Sequence, residues 1–568
     1  MTTPPPPERA TDGKAAKALR IAGWLLTIGY LGGVVALLAW GALRRFELPQ
    51  QPMIDPDIVG YLGPAVATLA GKPFPHLIGR SFPYPAFIYL ILRCAGDFRA
   101  IPVVQHLLGL AAGAVILLAW NALRDLAPER GGIPRPLFRF LGMLPAYMYL
   151  GSSTAISFEH QIRPEAVFPF LSILTLWLSF LYLKVRFIQP NRSAVLWLGA
   201  AIGFLTCMLY LAKPSFGFAT IFCSAPVWIS LLVRGPSLRE KAILAAAAAV
   251  PAFLLLLLPE HLMKKSDPVS STFLPETVLA AHGALIEQQM SKDLAGGGPL
   301  PFPRSEVEAA DAMLKSDLRK APQVIGAEEK TYTSYRPDYL LLEYLQYGDA
   351  FCQNFPVQMH LSASEMGHFC MTWYLRTLIH NPAGMAAKIK RELSVFYQKR
   401  NPAFYLGREI KVSVPQYGRV ARLMASVAPL GPGNPAVERY IAESNRLAGE
   451  KIGIRQRPRL IEWARWFSLH YLNFLAVALL SPTLLLFRPL RPHFLWLIAA
   501  LWLSYSYNFG TSLTIAMIHS MELNRYVRNQ LIFTIFAECL SLGFLLELAA
   551  FALRAGAARF LSRRKIAL

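Results

Sequence analysis

Runs of mostly apolar residues of membrane-crossing length, or close to it, recur about ten times along this 568-residue chain, and nothing else restricts its fold as strongly. They are Ile21–Leu43, Ile101–Leu123, Leu137–Gly151, Ala166–Leu183, Ala194–Ala212, Phe216–Val233, Ala242–Leu258, Phe467–Phe487, Phe494–Met517 and Leu531–Leu553. Leu137–Gly151 is short, and Phe494–Met517 is interrupted by Tyr505, Tyr507, Asn508 and Gly510, a pattern that predicts a broken helix or two partial ones. In a bilayer every backbone polar group needs an internal partner, so runs of this length must be helical. The sequence therefore predicts an all-α polytopic membrane protein with about ten transmembrane helices.

The basic residues set the orientation. Lys and Arg cluster in the tail before Ile21 and in Arg124–Arg139, Lys184–Arg192, Arg234–Lys241, Arg488–Arg491 and Arg554–Lys565, which are alternate loops of the ten-span reading. Both termini are then expected in the cytoplasm: a tail over residues 1–20, spans over 21–258, further spans over 467–553 and a basic tail over 554–568. The net charge of +22 is explained by these topology signals and by contacts with membrane lipids, so no nucleic-acid partner is expected.

Two outer segments stand out. In the first loop, 44–100, Asp55 and Asp57 precede Ile58, Tyr61, Leu62, Ala65, Val66 and Leu69 at helical spacing, which predicts a surface helix from Pro56 to Ala70. Asp55 is also a natural N-cap ahead of Pro56, with Asp57 favourable against the helix dipole, so both acids have a purely structural reading as well. The segment Gly71-Lys72-Pro73-Phe74-Pro75 breaks the chain, and Phe82-Pro83-Tyr84-Pro85 starts a second short interfacial helix through Leu92. The long outer region, 259–466, has capping-box patterns at Ser305–Glu308 and Ser362–Glu365, and cap-plus-proline starts at Asn381-Pro382 and Asn434-Pro435. It reads as a mainly helical extracytoplasmic domain with a short β segment near Ile410–Val414. Cys352 and Cys370 lie in this polar region and are the candidates for a disulfide.

Signatures of soluble enzymes are missing: no GxxxxGK[ST] loop, HExxH, paired CxxC or GxSxG. The topology instead collects ionisable residues on one face. Asp55 and Asp57 come from the first loop and Glu159, His160, Arg163 and Glu165 from the second. Lys213 comes from the third, and His519, Glu522, Arg525 and Tyr526 from the last. Each has a bland explanation: Glu165 as a first-turn acid, His160 as a hydrogen-bonded polar residue, Lys213 and Arg525 as snorkelling cations. Charges at the ends of several non-adjacent spans, all on one side, mark a substrate pathway or reaction site.

The order of an early acid, Tyr61, Gly71–Pro75 and Phe82–Pro85 resembles the first loop of the GT-C superfamily of membrane glycosyltransferases. Arg163-Pro164-Glu165, Leu211-Ala212-Lys213-Pro214-Ser215, His380-Asn381-Pro382 and Glu522-Leu523-Asn524-Arg525-Tyr526 are similar to segments of bacterial members. Those members include protein mannosyltransferases and lipid A aminoarabinose transferases. The resemblance implies inverting transfer of a sugar from a polyprenyl-phosphate donor to an extracytoplasmic acceptor, which is lipid, glycan or protein. Asp55 or Asp57 would be the catalytic base. Lys213 and Arg525 first, then Arg163 and Arg80, would hold the leaving phosphate. Glu159, His160, Glu165, Tyr61 and Tyr526 would orient the acceptor. A divalent cation (Mg, Mn or Ca) is left open by the resemblance, with Asp55, Glu159 and His160 as its ligands. Two other classes stay in play: a transporter or flippase of lipid-linked saccharides, and a non-catalytic assembly partner. The oligomeric state is not legible in the sequence.

Overall fold

The computed structural model describes residues 12–74, 80–127, 132–266, 272–325, 338–522 and 524–566. The tail before residue 12, Pro75 and Leu523 of the motifs above lie outside these. The chain is almost entirely helical, and among the described residues seven helices are long and apolar enough to cross a membrane: Ile21–Phe46, Ala100–Leu126, Phe168–Ile188, Arg192–Ala212, Leu238–Lys265, Pro458–Leu486 and Leu531–Gly556. A pair bent by 42°, Pro214–Cys223 with Ala225–Leu232, makes an eighth if it is one span. This is a multi-pass membrane architecture with fewer clear crossings than the ten expected.

The differences have local causes. Leu137–Gly151 divides into Arg135–Leu141 and Met143–Leu150, each too short to cross. The break falls at Gly142, where a Cβ would come within 2.5 Å of the Trp120 indole, and that indole also donates a 2.7 Å hydrogen bond to the Phe138 carbonyl. Phe494–Met517 is not broken: Arg491–Ile518 is one helix. Its Thr511 and Thr514 hydroxyls bond carbonyls four residues back, the Tyr505 hydroxyl pairs with Ser541 at 3.0 Å and the Asn508 amide donates to Thr534 at 3.2 Å, so most of its polar groups find partners without breaking the helix. The basic tail expected after Leu553 is a continuation of the last helix, which runs Leu531–Ile566.

The first apolar helix, Ile21–Phe46, lies on the outside of the bundle, whereas Leu531–Gly556 is its centre, 11% against 78% buried. Around the central helix pack Trp120, Phe168, Phe216 and Phe494, with Phe536 of that helix meeting the Trp120 ring.

The 259–466 region does not close on itself. Its first part, including Leu274–Gly296, Arg304–Ile325, Phe351–Gln358 and Ala363–His380, encloses a core of Trp373, Phe369, Phe355 and Leu345. Its later part packs instead on the first loop: Val420, Met424, Val427 and Tyr440 share a core with Ile58, Leu62, Val66 and Ile88, and Phe98 stacks on Tyr440 with centroids 4.6 Å apart. The capping box at Ser362–Glu365 forms, as do the Asn381 and Asn434 caps. Ser305 lies inside its helix, which already begins at Arg304. The only sheet among the described residues is two-stranded, Glu409–Lys411 antiparallel to Gly453–Arg455. Cys352 and Cys370 are both buried in the same apolar core as free thiols, so the expected disulfide is not formed.

Candidate functional site

The site is assembled by pinning the first loop against the second. At the end of the first helix, Arg44 donates to the Gly151 carbonyl at 2.8 Å and to the Arg455 carbonyl. Arg45 makes a two-pronged contact with Glu159, 2.7 Å on each oxygen, and a third bond to the Leu150 carbonyl. Three residues before the acids, Pro52 accepts from the Tyr440 hydroxyl at 2.7 Å. Met53 then forms a parallel bridge with Gln161: its N–H donates to the His160 carbonyl at 2.7 Å and its carbonyl accepts from Ile162 at 3.0 Å. Gln105 donates to the Glu159 and Gln161 carbonyls, and is itself held by the Tyr84 hydroxyl at 2.9 Å. The two chain segments thus run side by side, which sets Asp55 and Asp57 against Arg163.

The surface helix spans Ile58–Leu69, two residues later than expected, with Asp57 as its N-cap residue but with no side-chain capping bond. Asp55 accepts the Asp57 N–H at 3.0 Å, a local turn. The Asp57 carboxylate turns away to three guanidiniums: Arg163 at 2.7 Å, Arg525 at 2.8 Å and Arg80 at 3.2 Å. Arg163 also grips Asp55 through its Nε. Gly60 leaves the space that Arg80 occupies, since a Cβ there would lie 2.7 Å from the arginine's Cγ, and Arg80 sits over the Tyr61 ring at 4.7 Å. Glu165 and Lys213 pair at 2.5 Å, both nearly buried. Lys213 and Arg525 face the Tyr526 ring at 5.0 and 5.1 Å.

These groups line an open cleft of about 170 Å³, bounded by Asp57, Tyr61, Arg80, Glu165, Lys213 and Arg525 together with Tyr526 and His519. Leu211 and Ala212, the last turn of the membrane-length helix Arg192–Ala212, form part of its wall. The sequence singles out all of the residues just named, but not others that line the cleft from the large region, among them Phe273, Leu274, Thr277 and Tyr347. No local signal marks those four; they reach the cleft only because two distant helices pack over it.

Electrostatics separate the two aspartates. Burial raises the Asp55 carboxyl above the ordinary carboxylate range, against the pull of Arg163. Burial also acts on Asp57, but the guanidiniums of Arg525, Arg80 and Arg163 outweigh it and hold this group below its usual value. Glu165 is likewise held far below the usual range, because Lys213, Arg163 and Arg525 together overcome its burial. Lys213 is lowered to about 8 by burial first, with repulsion from Arg525 and Arg163 working against the attraction of Glu165. At neutral pH the pair is ionic on both sides. His519 is lowered to about 3 by burial and by Arg525, Lys388 and Lys213, so it is a neutral imidazole, its Nδ1 accepting the Ser520 N–H at 2.8 Å.

Asp55 and Arg163 stand behind Asp57 without lining the cleft, and three further residues expected there, Glu159, His160 and Glu522, are elsewhere. Glu159 is buried with Arg45 and with His106, whose Nδ1 lies 2.8 Å away, and His106 Nε2 meets His160 Nε2 at 3.0 Å. This Arg45–Glu159–His106–His160 chain lies beneath the loop and anchors it. The proposed metal set of Asp55, Glu159 and His160 does not assemble, because Glu159 is committed to a guanidinium on both oxygens; no group of three or more His, Cys, Asp or Glu suited to a metal occurs among the described residues. Glu522 accepts the Tyr339 N–H at 2.8 Å and ties the large region to the last loop.

No protein-family profile, curated protein or solved structure matches this chain.

Proposed function

We propose that this chain is an integral-membrane glycosyltransferase of GT-C type, which transfers a sugar from a polyprenyl phosphate to an extracytoplasmic acceptor with inversion. The observation that carries the reading is Asp57 on the wall of a cleft at the end of a membrane-length helix, clamped by Arg163, Arg525 and Arg80 beside the Glu165–Lys213 pair. Four cations, Arg80, Arg163, Lys213 and Arg525, face three acids, Asp55, Asp57 and Glu165. The free site is therefore nearly neutralised within itself, with its donors already aimed, a preorganised anion site.

In the proposed reaction the prenyl tail leaves the cleft along Leu211 and Ala212 into hydrocarbon, and its phosphate takes guanidinium donors from Asp57. That exchange releases the carboxylate from its clamp and raises its basicity. Asp57 is assigned as the base because it lines the cleft and Asp55 does not; reach precedes pKa in choosing a general base. The acceptor hydroxyl attacks the anomeric carbon and its proton passes to Asp57. The bond from that carbon to the phosphate oxygen breaks, and its electron pair stays on the phosphate, where the cations stabilise it. Asp55 holds Arg163 in position. In this reading the cleft faces away from the cytoplasm and both termini lie within it.

The test is transfer from radiolabelled polyprenyl-phosphate sugar by purified wild type, Asp55→Asn and Asp57→Asn. Asp57→Asn is expected to lower turnover by about 10²–10⁴-fold. Undiminished turnover in a folded Asp57→Asn protein sinks the assignment. Cysteines placed at 55 and 525 are expected to label from the same side of sealed vesicles; labelling from opposite sides ends the proposal.

One observation favours the transporter reading. Glu538 is fully buried seven residues into the central helix, roughly 10 Å below its start at ~1.5 Å per residue, and neither of its carboxyl oxygens has a hydrogen-bond partner. Ionisable groups at such depth commonly belong to ion or substrate pathways. If Glu538→Gln abolishes lipid-linked saccharide translocation while Asp57→Asn does not affect it, the transporter reading replaces the transferase.

A further inference from the structure

The helix Arg192–Ala212 carries a second charged cavity at its other end. Its twenty-one residues, at ~1.5 Å each, cover roughly 30 Å, about the thickness of a hydrocarbon core, so Lys213 in the cleft and Arg192 lie on opposite faces of the bundle. At the Arg192 end a cavity of about 310 Å³ opens between this helix, the end of Phe168–Ile188 and the start of Leu238–Lys265. Arg186, Arg192 and Lys241 line it with one acid, Glu240. Glu240 is already occupied in the capping box with Ser237, and its 3.8 Å approach to Arg192 joins two exposed side chains. Such a pair contributes little. Three cations against one acid leave two positive charges facing the cavity.

The cavity is built on a stiff turn. Phe168–Leu183 ends in a π-helical turn, Lys184–Ile188, and the chain reverses immediately: the Gln189 N–H bonds the Lys184 carbonyl at 2.8 Å and the Asn191 N–H bonds the Val185 carbonyl at 2.9 Å. A π turn of this kind displaces side chains from the ordinary helical stripe and recurs at functional sites. Here it carries Arg186, whose Nε is buried without a hydrogen-bond partner. The side chain as a whole is half-buried, and a donor nitrogen left unmatched beside a cavity is suited to an acceptor bound there. Deeper in the cavity, Val195 and Leu244 are buried and aliphatic.

We propose that this cavity binds the phosphate-bearing headgroup of an anionic membrane phospholipid, with Arg186 and Lys241 on the phosphate and the glycerol end of the acyl chains against Val195 and Leu244. A basic pocket between spans at the interface is the setting in which such headgroups are held. The exposed Ile243 and half-buried Leu196 on the cavity lining favour a lipid over a soluble phosphate, which would leave them uncovered. The assignment is independent of the chemistry at Asp57.

The test is native mass spectrometry of the full chain in detergent, titrated with dioctanoyl phosphatidylglycerol. The double variant Arg186→Gln with Lys241→Gln is expected to raise Kd at least tenfold. Arg239→Gln, on the same first turn but outside the cavity, is expected to change it less than twofold. Leu196→Trp adds bulk to the cavity lining while keeping every charge, so it too should raise Kd at least tenfold; it decides the matter if the double variant fails to fold. Inorganic phosphate and glycerol 3-phosphate in tenfold excess should not displace the lipid. Equal losses from Arg239→Gln, unchanged binding in Leu196→Trp, or displacement by inorganic phosphate would each overturn the proposal.

Discussion

Lys213 offers a sharp test of the anion site, because its charge is set by two opposed causes. Burial brings its pKa to about 8, and Glu165, 2.5 Å away, keeps it from falling further. With a pKa of about 8 the ammonium is ~90% populated at pH 7 and ~10% at pH 9, a roughly tenfold loss of the charged form. Affinity of the free protein for a short-chain polyprenyl phosphate, measured by equilibrium binding from pH 6 to 10, should therefore fall across that interval. Lys213→Arg should remove the decline, since a guanidinium stays charged throughout. Glu165→Gln, which withdraws the supporting charge, should move the decline toward neutral pH. Unfolding does not mimic the effect. The folded-state pKa lies below the unfolded value, so the unfolded chain binds more protons between pH 8 and roughly 10.4, and this group adds stability as pH rises through that window. Thermal unfolding at each pH checks this. Binding that is flat to pH 10, or a decline that persists in Lys213→Arg, would refute the argument.

Other outcomes follow from buried contacts. Arg45→Ala strands Glu159 inside the protein and should cost about 3–5 kcal/mol, read as a lowered thermal midpoint in detergent. Gly203→Ala gains ~1 kcal/mol of helix propensity, but its Cβ would lie 2.0 Å from the Ala248 carbonyl oxygen, a backbone atom that cannot swing aside. The clash should win, giving net destabilisation or separation of the two helices, visible in the same assay. Cys352 and Cys370 should react with maleimide only slowly in the native protein and rapidly once it is denatured, since both are buried and unbonded.

Much of the architecture was legible because hydrophobic length and charge are properties of short stretches. Most spans, the surface helix after Asp57 and the caps at Ser362, Asn381 and Asn434 follow from residues within one or two turns of each other. The sidedness argument selects Asp57, Lys213, Arg163 and Arg525, the resemblance adds Arg80, and the fold does bring these together, although Asp57 and Arg525 are 468 positions apart.

Which acids face the cleft was decided by tertiary contacts alone. Glu159 and His160 are close in sequence to Arg163, yet Arg45 and His106 draw them beneath the loop, because an isolated buried carboxylate is too costly to leave without a guanidinium. The same holds for Tyr347 and Phe273, which reach the site through packing across the chain, and for Glu538, whose burial depends on the last helix lying at the bundle's centre. Local sequence specifies which segments become helices and on which face their charges emerge. Only the packed molecule determines which of those charges meet one another, since a pairing energy depends on distances in space that no spacing along the chain records.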